Sequence, residues 1–187
     1  GFRVFALVTF NDTNATVVAS TASAAATGQV NATGVHGMFF RVNGAAIYSR
    51  GANMIPMEEL EGRMDAEAHR ILVQSAADAG MNTLRVWGGG MFLPDAWYDA
   101  CDELGILVYH DMQYASTSGG PHGPIATPTQ DAELRHQIRR LSHHPAIALW
   151  DGNNEVPVNM WEPSAVFASF VLTVVAQEDQ SRAVWPS

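Results

Sequence analysis

The strongest constraint on the fold is an alternation of short apolar runs with segments of helical periodicity from residue 39 onward. The predicted strands cover 82–87, 106–111, 146–150 and 183–185, after a hairpin formed by 39–42 and 45–50. The predicted helices begin near Asp65, Pro94, Asp131 and Pro163. Strands joined by helices form a parallel sheet with helices on its faces, so the pattern leaves two candidate folds, an open doubly wound sheet and a (β/α)₈ barrel.

Helical spacing predicts which side chains face the core. In the first helix, which Asp65 caps and Gly80 ends, the predicted apolar face consists of Ile71, Leu72, Ala76 and Ala79. In the next two helices it consists of Trp97, Tyr98, Cys101 and Leu104, and of Leu134, Ile138 and Leu141. Cys101 is therefore expected to be a buried, unreactive thiol.

The residues that follow the predicted strands favour the barrel. Polar or aromatic groups occur at 51–53, 85–88, 110–111 and 151–155. In a barrel these positions converge on one mouth. A dinucleotide-binding sheet would carry a G-x-G-x-x-G turn, and the run at 88–90 fails this pattern because Leu93 occupies the last glycine position. Residues 37–187 supply about five strands and four helices, whereas a complete barrel takes about 250 residues.

Composition excludes several classes of protein. A hydrophobic fraction of 47% with 16% charged residues indicates a packed core rather than a disordered chain. The formal net charge of −9 argues against a nucleic-acid partner. Because the sequence has one cysteine, intrachain disulfides and Cys-rich zinc sites are excluded. No segment approaches the ~18 consecutive apolar residues of a membrane span.

Residues 11–35 form a polar stretch without periodicity, and we predict a flexible loop there after a first strand. The loop carries three Asn-x-Thr triplets, which begin at Asn11, Asn14 and Asn31. Such triplets accept N-linked glycans on the surface loops of secreted proteins. We therefore expect a glycoprotein that is lysosomal or secreted.

Five segments carry a family resemblance: FFRVNG at 39–44, GANMIP at 51–56, MNTLRVWGGG at 81–90, CDELGI at 101–106 and GNNE at 152–155. In this order they resemble the β-mannosidases of glycoside hydrolase family 2 across residues 36–187. The run RVWGGG discriminates within the family, because related β-galactosidases and β-glucuronidases carry a Ser-His-Tyr-type sequence there. The segment from Gly1 to Val8 resembles the last strand of the immunoglobulin-like domain that precedes the barrel in such enzymes.

The resemblance implies an organisation and an activity. Residues 1–10 would end an immunoglobulin-like β domain, 11–35 would form the loop, and 36–187 would form the first part of a catalytic (β/α)₈ barrel. The implied activity is that of a retaining exo-β-mannosidase, which hydrolyses terminal non-reducing β-D-mannose from oligosaccharides and glycoproteins without a cofactor. The implied partners are the β-mannoside substrate and the remaining domains of the same polypeptide.

The resemblance also implies roles for five residues. Glu155 is the implied acid/base, and Asn154 beside it would hydrogen-bond the sugar 2-hydroxyl, a contact that strengthens toward the transition state. Arg85 would orient the nucleophilic carboxylate and keep it ionised. Trp87 would form an aromatic wall for the sugar ring. Asp111 would bind a hydroxyl or position Arg85.

Retention requires a second carboxylate, the nucleophile. In the family it follows the seventh barrel strand, so we expect it beyond Ser187 in a longer chain. The sequence departs from the family pattern at Met54, where Trp is usual, at Tyr109-His110 in place of Trp-Gln, and at Val156-Pro157, where a polar pair is common. These departures affect the expected substrate contacts more than the role of Glu155.

The histidines do not predict a metal site. Glu133 and His136 have the i, i+3 spacing of a di-iron ligand pair, but a di-iron bundle needs two such pairs. His143 and His144 are adjacent and suit the carboxyl end of a helix. We therefore expect no bound metal.

Two alternatives to the β-mannosidase interpretation stay open at this stage. One is a truncated or degenerate barrel that binds sugar weakly and catalyses nothing. The other is a different exo-β-glycosidase of the same family. A Glu after a seventh strand in the native gene product would favour an enzyme, whereas a half barrel on its own would expose sheet edges and self-associate.

Overall fold

The computed structural model describes residues 5–11, 16–20, 36–115, 127–155 and 170–185, which form two sheets. The first sheet is antiparallel, with the strand order β2-β1-β3-β4. Its strands are β1 (Phe5–Asn11), β2 (Thr16–Ser20), β3 (His36–Val42) and β4 (Ala45–Ile47). This sheet precedes the part of the chain that carries the candidate site.

The first sheet differs from the prediction in the region 11–35. Thr16–Ser20 was expected to be loop, but it pairs with β1 because Thr16, Val17 and Val18 are β-branched residues that suit a strand. β3 also pairs with β1, so the sheet extends across the boundary predicted at residue 36. The candidate glycosylation sites Asn14 and Asn31 lie outside the described residues.

The predicted hairpin is confirmed. β3 and β4 pair antiparallel through a turn at Asn43 and Gly44. Both turn residues have positive φ, 50° and 85°, as a two-residue hairpin turn of type I′ requires. Asn and Gly tolerate this conformation better than other residues, which is why this dipeptide marks the turn in the sequence.

The second sheet is parallel and has five strands in the order β5-β6-β7-β8-β9. They are β5 (Gly51–Met54), β6 (Thr83–Val86), β7 (Leu107–Asp111), β8 (Ile147–Asp151) and β9 (Ala183–Trp185). The helices of the described part are α1 (Ala66–Asp78), α2 (Asp95–Leu104), α3 (Pro128–Leu141) and α4 (Leu172–Glu178). The α/β class is confirmed, and the strand order never reverses, unlike that of a doubly wound sheet.

Local capping explains where the helices begin and end. The Asp65 side chain accepts a hydrogen bond of 2.8 Å from the Ala68 amide, which confirms the predicted cap of α1. α2 ends at Gly105, whose φ of 73° is left-handed. α3 begins earlier than predicted, because Thr127 and Gln130 form a capping box that precedes Asp131. The start predicted at Pro163 lies outside the described residues.

The core lies between the parallel sheet and its helices. Trp97, Tyr98 and Cys101 of α2 are fully buried, as are the predicted residues of α3. The predicted face of α1 is right in part: Ala76 is buried and Leu72 packs against the core, whereas Ala79 is exposed and Ile71 is 56% exposed. His69 and Val73 are buried in their place. The i, i+4, i+7 row that contains Val73 packs inward, so the more apolar Ile71 points to solvent.

None of the helices that the structure describes is long and apolar enough to cross a lipid bilayer.

Candidate active site

The candidate site lies at the carboxyl edge of the parallel sheet. Arg85 is on β6, Asp111 ends β7, and Asn154 follows β8 by three residues. The guanidinium group of Arg85 contacts both other side chains. Three of the residues predicted to form the site therefore meet at one point of the edge.

The Arg85–Asp111 contact is a two-pronged ion pair. Arg85 donates from Nε to Asp111 Oδ1 at 2.8 Å and from Nη2 to Asp111 Oδ2 at 2.7 Å. The same Nη2 donates to Asn154 Oδ1 at 2.8 Å, and Nη1 lies 3.5 Å from Asn53 Oδ1 on β5. The guanidinium thus ties three neighbouring strands and the turn after β8 together. Such paired bonds fix the orientation of both charged groups.

Burial and charge act in opposite directions on this pair. The Arg85 side chain is 25% exposed and that of Asp111 is fully buried. Burial alone would lower the pKa of Arg85, but the hydrogen bonds and charge of Asp111 raise it overall. Burial raises the pKa of Asp111, although Arg85 and the Gly88 amide oppose this change. The paired hydrogen bonds favour the ionised form of both groups.

The glycines that follow β6 are required by close contacts. The Gly88 amide donates to Asp111 Oδ2 at 3.0 Å. A Cβ at Gly88 would lie 2.5 Å from the Met112 carbonyl oxygen, and one at Gly89 would lie 2.0 Å from the Trp87 ring. The first contact lets the backbone approach Asp111, and the second lets the indole of Trp87 lie against the chain. Packing around the site therefore explains Gly88 and Gly89 of the GGG run.

We expect Gly88→Ala to destabilise the protein by about 1–3 kcal/mol, because the new methyl group overlaps a backbone oxygen that cannot move freely. Gly62→Ala is the matched control, since a Cβ at Gly62 meets nothing within 4 Å. Denaturant unfolding of both variants measures the difference. Equal free energies of unfolding would contradict the packing explanation.

The two neighbouring residues of the turn after β8, Asn154 and Glu155, differ in their exposure to solvent. Asn154 is buried and forms an isolated parallel β-bridge with Ala115. Its backbone amide donates to the Tyr114 carbonyl at 3.4 Å. Glu155 is exposed and has a φ of 54°, which few residues other than glycine adopt. The structure therefore holds Asn154 within the Arg85 network and leaves the neighbouring Glu155 exposed to solvent.

Trp87 is half-buried two residues after Arg85. Its amide donates to the Met54 carbonyl at 3.1 Å, and its own carbonyl accepts from the Gly90 amide at 3.0 Å. The backbone around the indole is thus anchored to β5 and to the following turn.

Tyr109 and Asp151 also belong to the candidate site, although the sequence did not predict them there. The Tyr109 hydroxyl donates a short hydrogen bond to Asp151 Oδ2, and the Arg85 guanidinium carbon lies 5.4 Å from the centre of the Tyr109 ring. Tyr109 appeared only as a departure from a family pattern, and Asp151 only as a polar residue after a strand. The available signal was that Asp151 ends a strand and that Tyr109 lies two residues before Asp111 on the same face of its strand.

His110, the other half of that departure, faces away from Arg85. It is fully buried, and burial lowers its pKa to about 4, so the ring is neutral. Its Nδ1 lies 2.8 Å from the Asp111 carbonyl and its Nε2 lies 2.8 Å from the Tyr98 hydroxyl. The neutral ring can donate to the carbonyl and accept from Tyr98, which secures the end of β7 against α2.

One group in the described part of the chain has the ligand types of a metal site. Asp99, Asp102 and His144 have ligand atoms within 4.8 Å of one another. His144 Nδ1 already hydrogen-bonds Asp102 Oδ2 at 2.7 Å, and Asp102 Oδ1 accepts from the Ala146 amide at 2.7 Å. These bonds account for the cluster as a link between α2 and the start of β8. Glu133 and His136 are exposed on α3.

A cleft of about 460 Å³ lies beside the amino end of α2, apart from the Arg85 network. It is lined by the loops after β5 and β6 and by parts of α1 and α3, including Met57, Met91, Phe92 and Arg140. None of the network residues lines it. Arg140 closes one side by donating to the Leu93 carbonyl at 3.0 Å.

Comparison with solved structures defines the fold. A family 2 glycoside hydrolase, the β-galacturonidase from Eisenbergiella tayi, matches 97% of this chain and 32% of its own, with a TM-score of 0.59 and 19% identity. The β-D-mannosidase from Dictyoglomus thermophilum matches 81% of this chain and 20% of its own, with a TM-score of 0.65 and 32% identity. The described structure therefore has the fold of a segment of the family 2 glycoside hydrolases.

Comparison of sequences shows which glycoside hydrolases this chain resembles. β-Mannosidase from Rattus norvegicus is 44% identical over 117 residues, which are 63% of this chain and 13% of that protein. No protein-family model matches the chain. The resemblance to the β-mannosidases that the sequence motifs indicated is confirmed, and the chain spans about 13% of the length of these relatives.

Proposed function

We propose that this chain supplies the acid/base half of the active site of a retaining exo-β-mannosidase, which removes terminal non-reducing β-D-mannose from oligosaccharides and glycoproteins. The observation that carries the proposal is the Arg85–Asp111–Asn154 network, which adjoins Glu155 at the carboxyl edge of a parallel sheet. The 44% identity to a β-mannosidase supports the choice of sugar.

Asn154 is the substrate-binding residue whose orientation the network explains. Its Oδ1 accepts from Arg85, so the side-chain amide is held in one orientation and Nδ2 is the group directed to a ligand. An NH₂ group donates well to the 2-hydroxyl of a sugar. A hydrogen bond there strengthens as positive charge develops at the anomeric carbon.

Glu155 is the general acid and base. In the first step its carboxyl group donates a proton to the glycosidic oxygen as the C1–O bond breaks and the nucleophile attacks C1. In the second step its carboxylate takes a proton from the water that cleaves the glycosyl-enzyme intermediate. The nucleophile is a second carboxylate of the longer protein, which Arg85 orients, while Asp111 positions Arg85 and Trp87 forms a wall for the sugar ring.

The proposed architecture extends the described sheet. β5 to β9 would be the first five strands of a (β/α)₈ barrel, because a barrel adds each new strand beside the previous one. Residues 1–10, which contain most of β1, would end an immunoglobulin-like domain. The remaining domains of the polypeptide would complete the barrel and the site.

The proposal includes a glycoprotein in the lysosome or outside the cell. Asn11, at the end of β1, and Asn14 and Asn31 are the candidate glycan acceptors. The proposed protein needs no cofactor or metal, since two carboxyl groups perform the chemistry of retaining hydrolysis.

Substrate preference tests the proposed function. We expect the full-length protein to hydrolyse an aryl β-mannoside with kcat/KM at least about 100-fold above that for the matching β-glucoside, β-galactoside and β-glucuronide, because the 2-hydroxyl is axial in mannose alone among them. Preference for one of the other sugars would identify a different exo-β-glycosidase. Hydrolysis of none would favour the non-catalytic barrel.

A further inference from the structure

We infer that Tyr109 and Asp151 are positioning residues that hold Arg85 and Asn154 in their places through the hydrogen bond between them. The inference rests on the proposed function, since it assigns these two residues to the same site. It concerns a pair that neither the motifs nor the comparisons assign.

The pair links the two sides of the network. Tyr109 donates its hydroxyl proton to Asp151 Oδ2 and places its ring 5.4 Å from the guanidinium carbon of Arg85. The other carboxyl oxygen, Asp151 Oδ1, accepts from the Asn153 amide at 3.2 Å. One end of the pair thus supports the guanidinium, and the other end fixes the turn that carries Asn154.

Strand register places the pair beside the ion pair. Arg85 is opposite Tyr109 in the β6–β7 ladder, and Asp111 is opposite Asp151 in the β7–β8 ladder. Residues two apart on one strand face the same side, so Tyr109 and Asp111 share a face. Four polar side chains therefore form one continuous layer on that face.

Charge within this layer is unbalanced if both aspartates are ionised. The paired hydrogen bonds of Arg85 go to Asp111, and Asp151 is fully buried without an equivalent cation. Burial, and then the charge of Asp111, raise the pKa of Asp151 to about 7, while Tyr109, Asn153 and Arg85 oppose the rise. Asp151 therefore keeps its proton in mildly acidic solution, when the layer is electrically neutral.

The surroundings of Asp151 define its titration. Arg85 faces it from β6, Tyr109 and Asp111 face it from β7, and Trp185 is opposite it on β9. Burial and Asp151 raise the pKa of Tyr109, so the phenol stays protonated throughout. When pH rises through about 7, Asp151 becomes a second carboxylate beside one guanidinium. Arg85 is then attracted to two carboxylates instead of one. The hydrogen bond by which it orients Asn154 is weakened as a result.

We expect activity of the full-length protein to decline as pH rises through about 7, and Asp151→Asn to move the midpoint of this decline upward by about one unit or more. Asn keeps the shape of Asp151 but cannot ionise. Its Oδ1 can accept from the Asn153 amide while its Nδ2 donates to the Tyr109 hydroxyl oxygen. Tyr109→Phe moves the midpoint in the same direction, because it removes a hydrogen bond that stabilises the Asp151 carboxylate. Asp131→Asn on the exposed surface of α3 is the matched control and leaves the profile unchanged.

The assay measures kcat/KM with an activated aryl β-mannoside across pH. An activated leaving group barely needs a proton, so protonation of the glycosidic oxygen contributes little to kcat/KM with this substrate. An unmoved midpoint in Asp151→Asn would overturn the inference. A downward shift would also overturn it, because it would mean that Asp151 acts on another acid through its field rather than through Arg85.

Infrared difference spectroscopy separates the pair from the proposed function. We expect the full-length protein to show a protonated-carboxyl carbonyl band that disappears as pH rises through about 7 and is absent from Asp151→Asn. A band that persists unchanged in Asp151→Asn would refute the protonation of Asp151, whether or not the protein cleaves mannosides. If no β-mannoside is cleaved, the proposed function is contradicted. The infrared result then still tests whether Asp151 is protonated beside Tyr109.

Discussion

Glu155→Gln in the full-length protein is expected to lower kcat/KM for β-mannosides with poor leaving groups by about 10²–10⁴-fold. The amide of Gln cannot donate a full proton to the glycosidic oxygen, so an alkoxide leaving group would depart unprotonated. Activated aryl β-mannosides leave readily as phenolates and lose far less in their first step. The ratio of the two losses is the measured quantity.

The control for this prediction is Glu133→Gln, which alters an exposed glutamate on α3 and should leave both substrates unaffected. An equal loss on good and poor leaving groups would contradict the acid/base role of Glu155. Such a result would indicate that Glu155 binds the sugar or supports the turn instead of transferring a proton.

Asp111→Asn is expected to reduce the free energy of unfolding by about 2–4 kcal/mol and to reduce kcat/KM by about 100-fold. The substitution leaves Arg85 without its paired acceptor, next to Asn154 and the Gly88 amide. Breaking a buried pair from one side is costly because the other charge is left desolvated. The freed guanidinium also releases Asn154, which explains the loss of activity.

Asp131→Asn is the matched control for the loss of stability. The Asp131–Arg135 pair has an N–O distance of 2.8 Å against 2.7 Å for the Arg85–Asp111 pair, and its arginine is 26% exposed against 25%. The aspartates differ, since Asp131 is 41% exposed and Asp111 is fully buried. Asp131→Asn should therefore cost about 0.3–0.5 kcal/mol, as exposed helix pairs do. Equal costs would contradict the importance of burial at Asp111.

The turns and caps of this fold could be predicted because they depend on local chemistry. Asn43 and Gly44 mark a turn that needs two positive φ values, and Asp65 supplies an acceptor at a helix start. The face of α1 was predicted only in part, because it depends on how the helix packs. Ile71 is the more apolar residue, yet the packed helix buries the row of Val73 instead.

The candidate site could be predicted in part. Arg85, Asp111 and Asn154 lie at or just beyond the carboxyl ends of three neighbouring strands, so their meeting followed from the alternation of strands and helices. The Tyr109–Asp151 bond depends on strand register. A shift between Val108 and Tyr109 moves the β7–β8 pairing by one residue and sets Asp151 opposite Asp111. Such a shift leaves no local pattern in the sequence.

Azide rescue of Glu155→Ala in the full-length protein tests the central claim most directly. Without its acid/base, a retaining enzyme still forms the glycosyl-enzyme from an activated aryl β-mannoside, and azide can attack this intermediate without a general base. The account predicts restored turnover with β-mannosyl azide as the product, because two inversions retain the configuration. α-Mannosyl azide would make Glu155 the nucleophile, and the absence of any rescue would contradict its role as acid and base.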